Sequence, residues 1–201
     1  MDNYFNPIGK IDLHMHTTVS DGTDTPEEIY SRVLEEGITL FSITDHDAVK
    51  GCKEILSLLG KDSPARFITG AEFSARDEGG KYHILGYGYD PAGKSINALV
   101  SKGHSLRLSK MTSRISFLKN EFGFEFSGED IANLFKLDNP GKPHLGNLMV
   151  KYGYAESKEQ AIDEYINKAG FKSERIGPAE TIEAILGSGG IPVLAHPFYG
   201  S

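Results

Sequence analysis

Two hydrophobic rhythms alternate along the first ninety or so residues. Short continuous apolar runs read as buried strands, and segments with apolar residues four apart read as helices. Lys10-Ile11-Asp12-Leu13 is predicted as a strand with His14 at its C-terminal end. In "TPEEIYSRVLEEG" the spacing of Ile29 and Val33 predicts the buried face of a helix. Thr25 and Glu28 form its capping box, Pro26 takes its first position, and Gly37 closes it. "ITLFSITDHD" follows as a buried strand ending in polar residues, then a helix over about residues 50–59. "RFITGAEFS" reads as a strand, and "KYHILGYGY" as another, entered from the Gly79-Gly80 turn.

The pattern changes near Asp90-Pro91. Residues from about 95 to 172 read as mainly helical, with no convincing strand. Ser157 and Gln160 form a second capping box, opening a helix that Gly170 ends. After Gly177-Pro178 the alternation returns, with a helix carrying Ile182, Ile185 and Leu186 and then the strand "IPVLAHP". This order predicts an α/β chain with a parallel sheet or barrel, interrupted by a mainly helical insert. The boundaries are residues 1–90 plus 176–201 for the β/α part and 91–175 for the insert. His14, Asp45-His46, Glu72, His83 and His196 all fall in or just after predicted strands. Parallel α/β architectures gather strand C-termini on one face, so these distant residues are expected in one pocket.

Composition narrows the setting. The chain has 201 residues, 39% of them hydrophobic and 24% charged, which suits a globular core. The net charge of -7 offers no basic footprint for long duplex nucleic acid. A small anionic substrate stays open, because bound cations reverse the local sign. The lone Cys52 cannot form an internal disulfide, which fits a cytoplasmic setting. No run approaches the roughly 18 apolar residues of a membrane span.

The chemistry concentrates in a few short stretches. In His14-Met15-His16 the two imidazoles leave one face of an extended strand while Met15 points toward packing. By itself such a pair is a weak signal, and more often that of ordinary surface or core histidines. The following "TTVSDG" adds Asp21 at a turn that could bring a carboxylate back over the strand end. In "TDHD", Asp45 or Asp47 reads either as a cap for the next helix or as a catalytic carboxylate; His46 is harder to assign to structure alone. Glu72 in "GAEFS" reads either as the partner of a buried arginine or as a carboxylate bridging two metals. His83 and His196 singly read as core histidines. Taken together, these histidines and acids at strand ends favour a multinuclear metal site.

"DLHMHTTVSDG", "ITDHD", "GAEFS", "HILGY", "KPH" and "VLAHP" resemble, in order, the motifs of the PHP (polymerase and histidinol phosphatase) superfamily. The resemblance implies a PHP-type distorted (β/α)7 barrel, incomplete at the C-terminus and represented here by about its first five strands. It implies two or three divalent ions (manganese, iron or zinc) serving phosphoester hydrolysis through a metal-bridging hydroxide. By matching position, His14 and His16 would bind the first metal, and Glu72 would bridge first and second. His83 and His196 would hold the second metal, and Asp21 and His46 the third. Asp45 or His144 would protonate the leaving oxygen.

The helical insert resembles one branch of the superfamily, which removes the 3′-phosphate of nucleoside 3′,5′-bisphosphates or degrades short RNA from its 5′ end. In that branch the insert covers the active site. Its Gly-Arg-Pro-His motif appears here as Gly141-Lys142-Pro143-His144, making Lys142 and His144 candidate phosphate contacts. Arg107 and Arg114, on roughly one face of a predicted helix, read as further phosphate contacts or as surface arginines. The expected substrate is a small phosphorylated molecule, a nucleotide or short oligonucleotide, with no membrane partner. Histidinol-phosphate-type hydrolysis and a non-catalytic metal-stabilised module are the alternatives. Family members continue past "AHP" to a Gly-Ser-Asp-x-His segment that this chain lacks. The chain then reads as a fragment or a natural short form, and its open barrel edge would invite a homo-oligomer.

Overall fold

The computed structural model describes residues 9–137, 139–170 and 174–197; the chain end at Ser201 lies outside them. Two compact units divide the chain, Met1–Ser101 with Arg175–Ser201 and Lys102–Glu174. Among the described residues, no helix is long and apolar enough to cross a membrane.

The first unit is a mixed α/β structure. Its strands are β1 (Lys10–Met15), β2 (Ile38–Ile43), β3 (Arg66–Phe67), β4 (Gly70–Arg76), β5 (Lys81–Tyr87) and β6 (Ile191–Leu194). Strands β1-β2-β3 form a parallel sheet. Strands β4-β5-β6 form a second sheet, and it is antiparallel. The expectation of one parallel sheet therefore holds only for the first half, and the described strands close no barrel. The Gly79-Gly80 turn is the reason: it folds β5 directly back on β4, so no crossover helix intervenes. "RFITGAEFS" likewise splits between the two sheets at Ile68-Thr69. The sheets stay joined because the chain just beyond β2 pairs in parallel with β4 at His46 and Glu72. There Asp47 N donates to Glu72 O (2.9 Å) and Glu72 N donates to Asp45 O (3.2 Å).

Helix α1 (Pro26–Glu35) starts as its sequence predicts. Glu28 N donates to Thr25 Oγ1 (3.2 Å), and Thr25 N donates to Glu28 Oε2 (2.8 Å). Val33 is buried against Phe41, Ile43, Ile55 and Ala65, with Met15 and Ile29 packed on the same cluster. Met15 thus points into the core while its histidine neighbours do not. Helix α2 (Lys50–Leu58) adds Ile55 to that cluster. Helix α7 (Pro178–Gly187) buries Thr181, Ala184 and Ile185, leaving Ile182 and Leu186 on the outside.

The second unit is helical among its described residues. It holds most of α3 (Lys94–Phe122), with α4 (Gly128–Phe135), α5 (Lys142–Lys151) and α6 (Lys158–Gln160). Met111, Leu118, Leu134, Leu145, Met149, Ala161 and Ile166 form its core. The helix predicted to run from Ser157 to Gly170 opens on its cap, Gln160 N donating to Ser157 Oγ (3.1 Å). It then changes pitch, becoming a π-helix over Ala161–Tyr165 and a 3-10 turn over Ile166–Lys168.

Candidate metal centre

Glu72 organises the first unit's chemistry. It sits in β4 at 1% exposure, where an ionised carboxylate survives only if partnered. Its two oxygens face different pairs of imidazoles. Oε2 lies 2.8 Å from His14 Nε2 and 3.2 Å from His16 Nε2. Oε1 lies 2.8 Å from His83 Nδ1 and 2.9 Å from His196 Nε2. His46 Nδ1 is 3.8 Å from Oε2. Burial alone would raise the Glu72 carboxyl, but His16, His14 and His196 outweigh it and hold the group well below the usual carboxylate range.

Each imidazole arrives by a different local rule. His14 and His16 leave the same face of β1's end because the strand period is two. His83 sits opposite Ser74 in the antiparallel pair, on the face that also carries Glu72, two residues along. His83 therefore comes from the first half of β5, not from a strand C-terminus. His196 follows β6 in a left-handed conformation (φ 27), which a non-glycine residue adopts only under constraint. Asp47 is left-handed as well (φ 51), and its Oδ1 accepts from Ser74 N (2.8 Å). That brace ties the end of β2 to β4. Asp47 does not cap α2, whose N-cap is Val49.

A second group adjoins the first. Asp21 Oδ1 lies 3.6 Å from His16 Nδ1, and Asp21 Oδ2 lies 3.7 Å from His46 Nε2. His16 and His46 stack with centroids 4.6 Å apart. Burial pulls His46 below its ordinary value, toward the neutral form that binds cations. Three overlapping trios each offer ligand atoms within 4.8 Å of one another: His14-His16-Glu72, His16-Asp21-His46 and His46-Glu72-His83. His16 Nδ1 is buried and accepts or donates no hydrogen bond among the described residues. An orphaned ring nitrogen beside an exposed carboxylate suits a cation held between them. The donor set is imidazole and carboxylate without thiolate, and it fits manganese, iron or zinc.

The remaining predicted site residues have other local partners. Asp45 is buried and accepts from Thr17 N (2.7 Å), Thr17 Oγ1 (2.8 Å) and Ser20 Oγ (2.8 Å). Sequence reasoning took only Asp21 from the "TTVSDG" loop and missed Thr17 and Ser20; the run of hydroxyls there was the available signal. Lys142, His144, Arg107 and Arg114 belong to the second unit. Lys142 Nζ donates to Asn167 Oδ1. His144 Nδ1 accepts from Gly141 N (3.1 Å), closing the first turn of α5. Arg107 and Arg114 are half-buried and close enough to repel each other; burial, and for Arg107 the neighbouring charge, lower both guanidinium pKa values.

Comparison with known proteins places this arrangement. The chain is 30% identical over 191 residues to a 5'-3' exoribonuclease of Haemophilus influenzae, covering 94% of this chain and 69% of that one. It is 28% identical over 201 residues to a 3',5'-nucleoside bisphosphate phosphatase of Chromobacterium violaceum, covering 94% and 67%. Among solved structures it resembles a candidate metal-dependent phosphoesterase from Bifidobacterium adolescentis, with TM-score 0.73, 26% identity, and 94% and 68% of the two chains covered. The chain thus spans about two thirds of the length of these relatives. The PHP domain profile matches residues 12–172, from the start of the paired histidines through the helical unit, and the chain belongs to the PHP domain family.

Proposed function

We propose that this protein is a metal-dependent phosphoesterase that hydrolyses a phosphomonoester or phosphodiester of a small nucleotide or short oligonucleotide. The observation that carries this reading is the division of labour at Glu72. One buried carboxylate presents a separate oxygen to each of two histidine pairs drawn from separated segments. Family membership and relatives named for nucleotide and RNA hydrolysis support the substrate class.

In this reading Glu72 would serve two divalent cations, His14 and His16 would hold one, His83 and His196 the other, and Asp21 and His46 would hold a third. Such cations, when bound, lower the pKa of water and neutralise charge on a phosphoryl group. The protein's share is to aim the imidazoles from both sheets and to hold Glu72 ionised away from solvent. The same reading takes the two sheets, joined at the His46–Glu72 bridge, as part of the family's distorted (β/α)7 barrel.

The test is phosphate or nucleotide release from nucleoside 3′,5′-bisphosphates and short RNA. Activity should disappear with a chelator and return with manganese. His14→Ala and Glu72→Ala should each reduce turnover by orders of magnitude while the protein stays folded. Normal turnover in both variants would overturn the assignment, and metal binding without release from any phosphoester would favour a non-catalytic module.

A further inference from the structure

We infer that Asp45 is a positioning residue whose clasp on the Thr17–Asp21 loop creates the His16-Asp21-His46 cation group. The inference rests on the metal-centre reading above and adds the device that assembles its most exposed part. Asp21 is the weak point of that group. Its side chain is 67% exposed, whereas the His16 and His46 side chains are 23% and 20% exposed. An exposed carboxylate on a loop reaches two half-buried imidazoles only if the loop is held.

The hold is Asp45. Its Oδ1 accepts from Thr17 N and Ser20 Oγ, and its Oδ2 accepts from Thr17 Oγ1. Thr17 is itself fully buried, and its carbonyl accepts from Ser20 N and Gly22 N at 3.0 Å each. Its hydroxyl also accepts from Val19 N (3.1 Å). The loop therefore winds around Thr17, and Thr17 hangs on Asp45. On the other side, Asp45 lies against the first turn of α2, where the helix dipole favours an anion. Glycine is required there, because a Cβ at position 51 would collide with Asp45 Oδ2. Gly22 is required for the same kind of reason, since a Cβ there would run into the His16 carbonyl.

With donors on both oxygens, Asp45 is an acceptor at every described contact. It acts on the cation group through Asp21. Outer residues that orient ligands typically matter by about 10–100-fold in metal affinity.

The experiment titrates manganese into the metal-free full chain, read by calorimetry and by the electron paramagnetic resonance of free manganese. Asp45→Asn and Thr17→Val should each weaken one class of site by about 10–100-fold, and Thr17→Ser should restore it. Asp21→Ala should give the same loss. Combining Asp45→Asn with Asp21→Ala should add nothing, a non-additivity that a purely structural role would not produce. Should Asp45→Asn not fold, Ser20→Ala removes one arm of the clasp and should show a smaller loss in the same class. Wild-type affinity in these variants would overturn the inference, as would Asp45→Asn losing turnover with manganese binding intact. Wild-type protein binding no manganese would instead overturn the metal reading, and this inference with it.

Discussion

Gly51→Ala sets two physical effects against each other. Gly51 is the second residue of α2, so helix propensity alone predicts that alanine stabilises by up to about 1 kcal/mol. The structure predicts the opposite sign. The new Cβ would collide with Asp45 Oδ2 and lie 3.3 Å from Thr17 Oγ1. Asp45 is walled in at 1% exposure and can yield only by giving up the Thr17 Oγ1 bond to Oδ2. A hydrogen bond to a charged group contributes about 1.5–3 kcal/mol. Subtracting the propensity gain leaves a net loss of about 0.5–2 kcal/mol. In a chain of this size that lowers the midpoint of thermal unfolding by about 1–8 °C. Unfolding of the chelated protein, followed by circular dichroism, reads the shift. The companion measurement uses an Asp45→Ala background, where the colliding oxygen is gone and Gly51→Ala should recover the propensity gain. A Gly51→Ala protein at least as stable as wild type would refute the reasoning, and so would a cost that persisted without Asp45.

Three more outcomes are expected. Thr25→Ala removes both the side-chain acceptor for Glu28 N and its contact with Glu28 Oε2, and should cost about 1 kcal/mol in the same unfolding assay. Burial pushes the Cys52 thiol up to about 11, so Ellman's reagent at pH 8 should react with it only after denaturation. Because the folded value exceeds the unfolded one, that stability is complete below about pH 9 and is lost as pH rises toward about 11; Cys52→Ala should flatten this alkaline decline. Saturating manganese, at about 1,000 times its dissociation constant, should stabilise wild type by about 4 kcal/mol. Glu72→Gln should keep little of that increment, measured as the difference in unfolding midpoint with and without chelator; an undiminished increment would remove Glu72 from the cation site.

The sequence exposes the ligands better than the framework that holds them. A period-two strand puts His14 and His16 on one face whatever the sheet does, so that pair is readable from residue spacing alone. The capping box at Thr25 is local in the same sense, and it forms as written. Strand direction is not local. "KYHILGYGY" looks the same whether β5 runs parallel or antiparallel to β4, and only the short Gly79-Gly80 turn distinguishes them. The expectation of ligands gathered at strand ends fails at His83 and at Glu72, each the third residue of a seven-residue strand. The "RFITGAEFS" run hides a change of sheet, because continuous apolar character marks burial and not pairing partner. Asp45 shows a further limit. A buried aspartate after a strand announces that it has donors, but its sequence neighbours do not name them, and Thr17 and Ser20 lie 28 and 25 positions away.

The antiparallel hairpin also sets an order of assembly. Glu72 and His83 lie on one two-stranded ribbon with a tight turn, and hairpins of this kind close in about 1–10 μs. His14 must come across 58 positions and His196 across 124 to meet the same carboxylate. Entropy of loop closure makes such distant meetings slower. A newly made chain would thus own Glu72 and His83 early, and gain its final imidazole only when β6 docks.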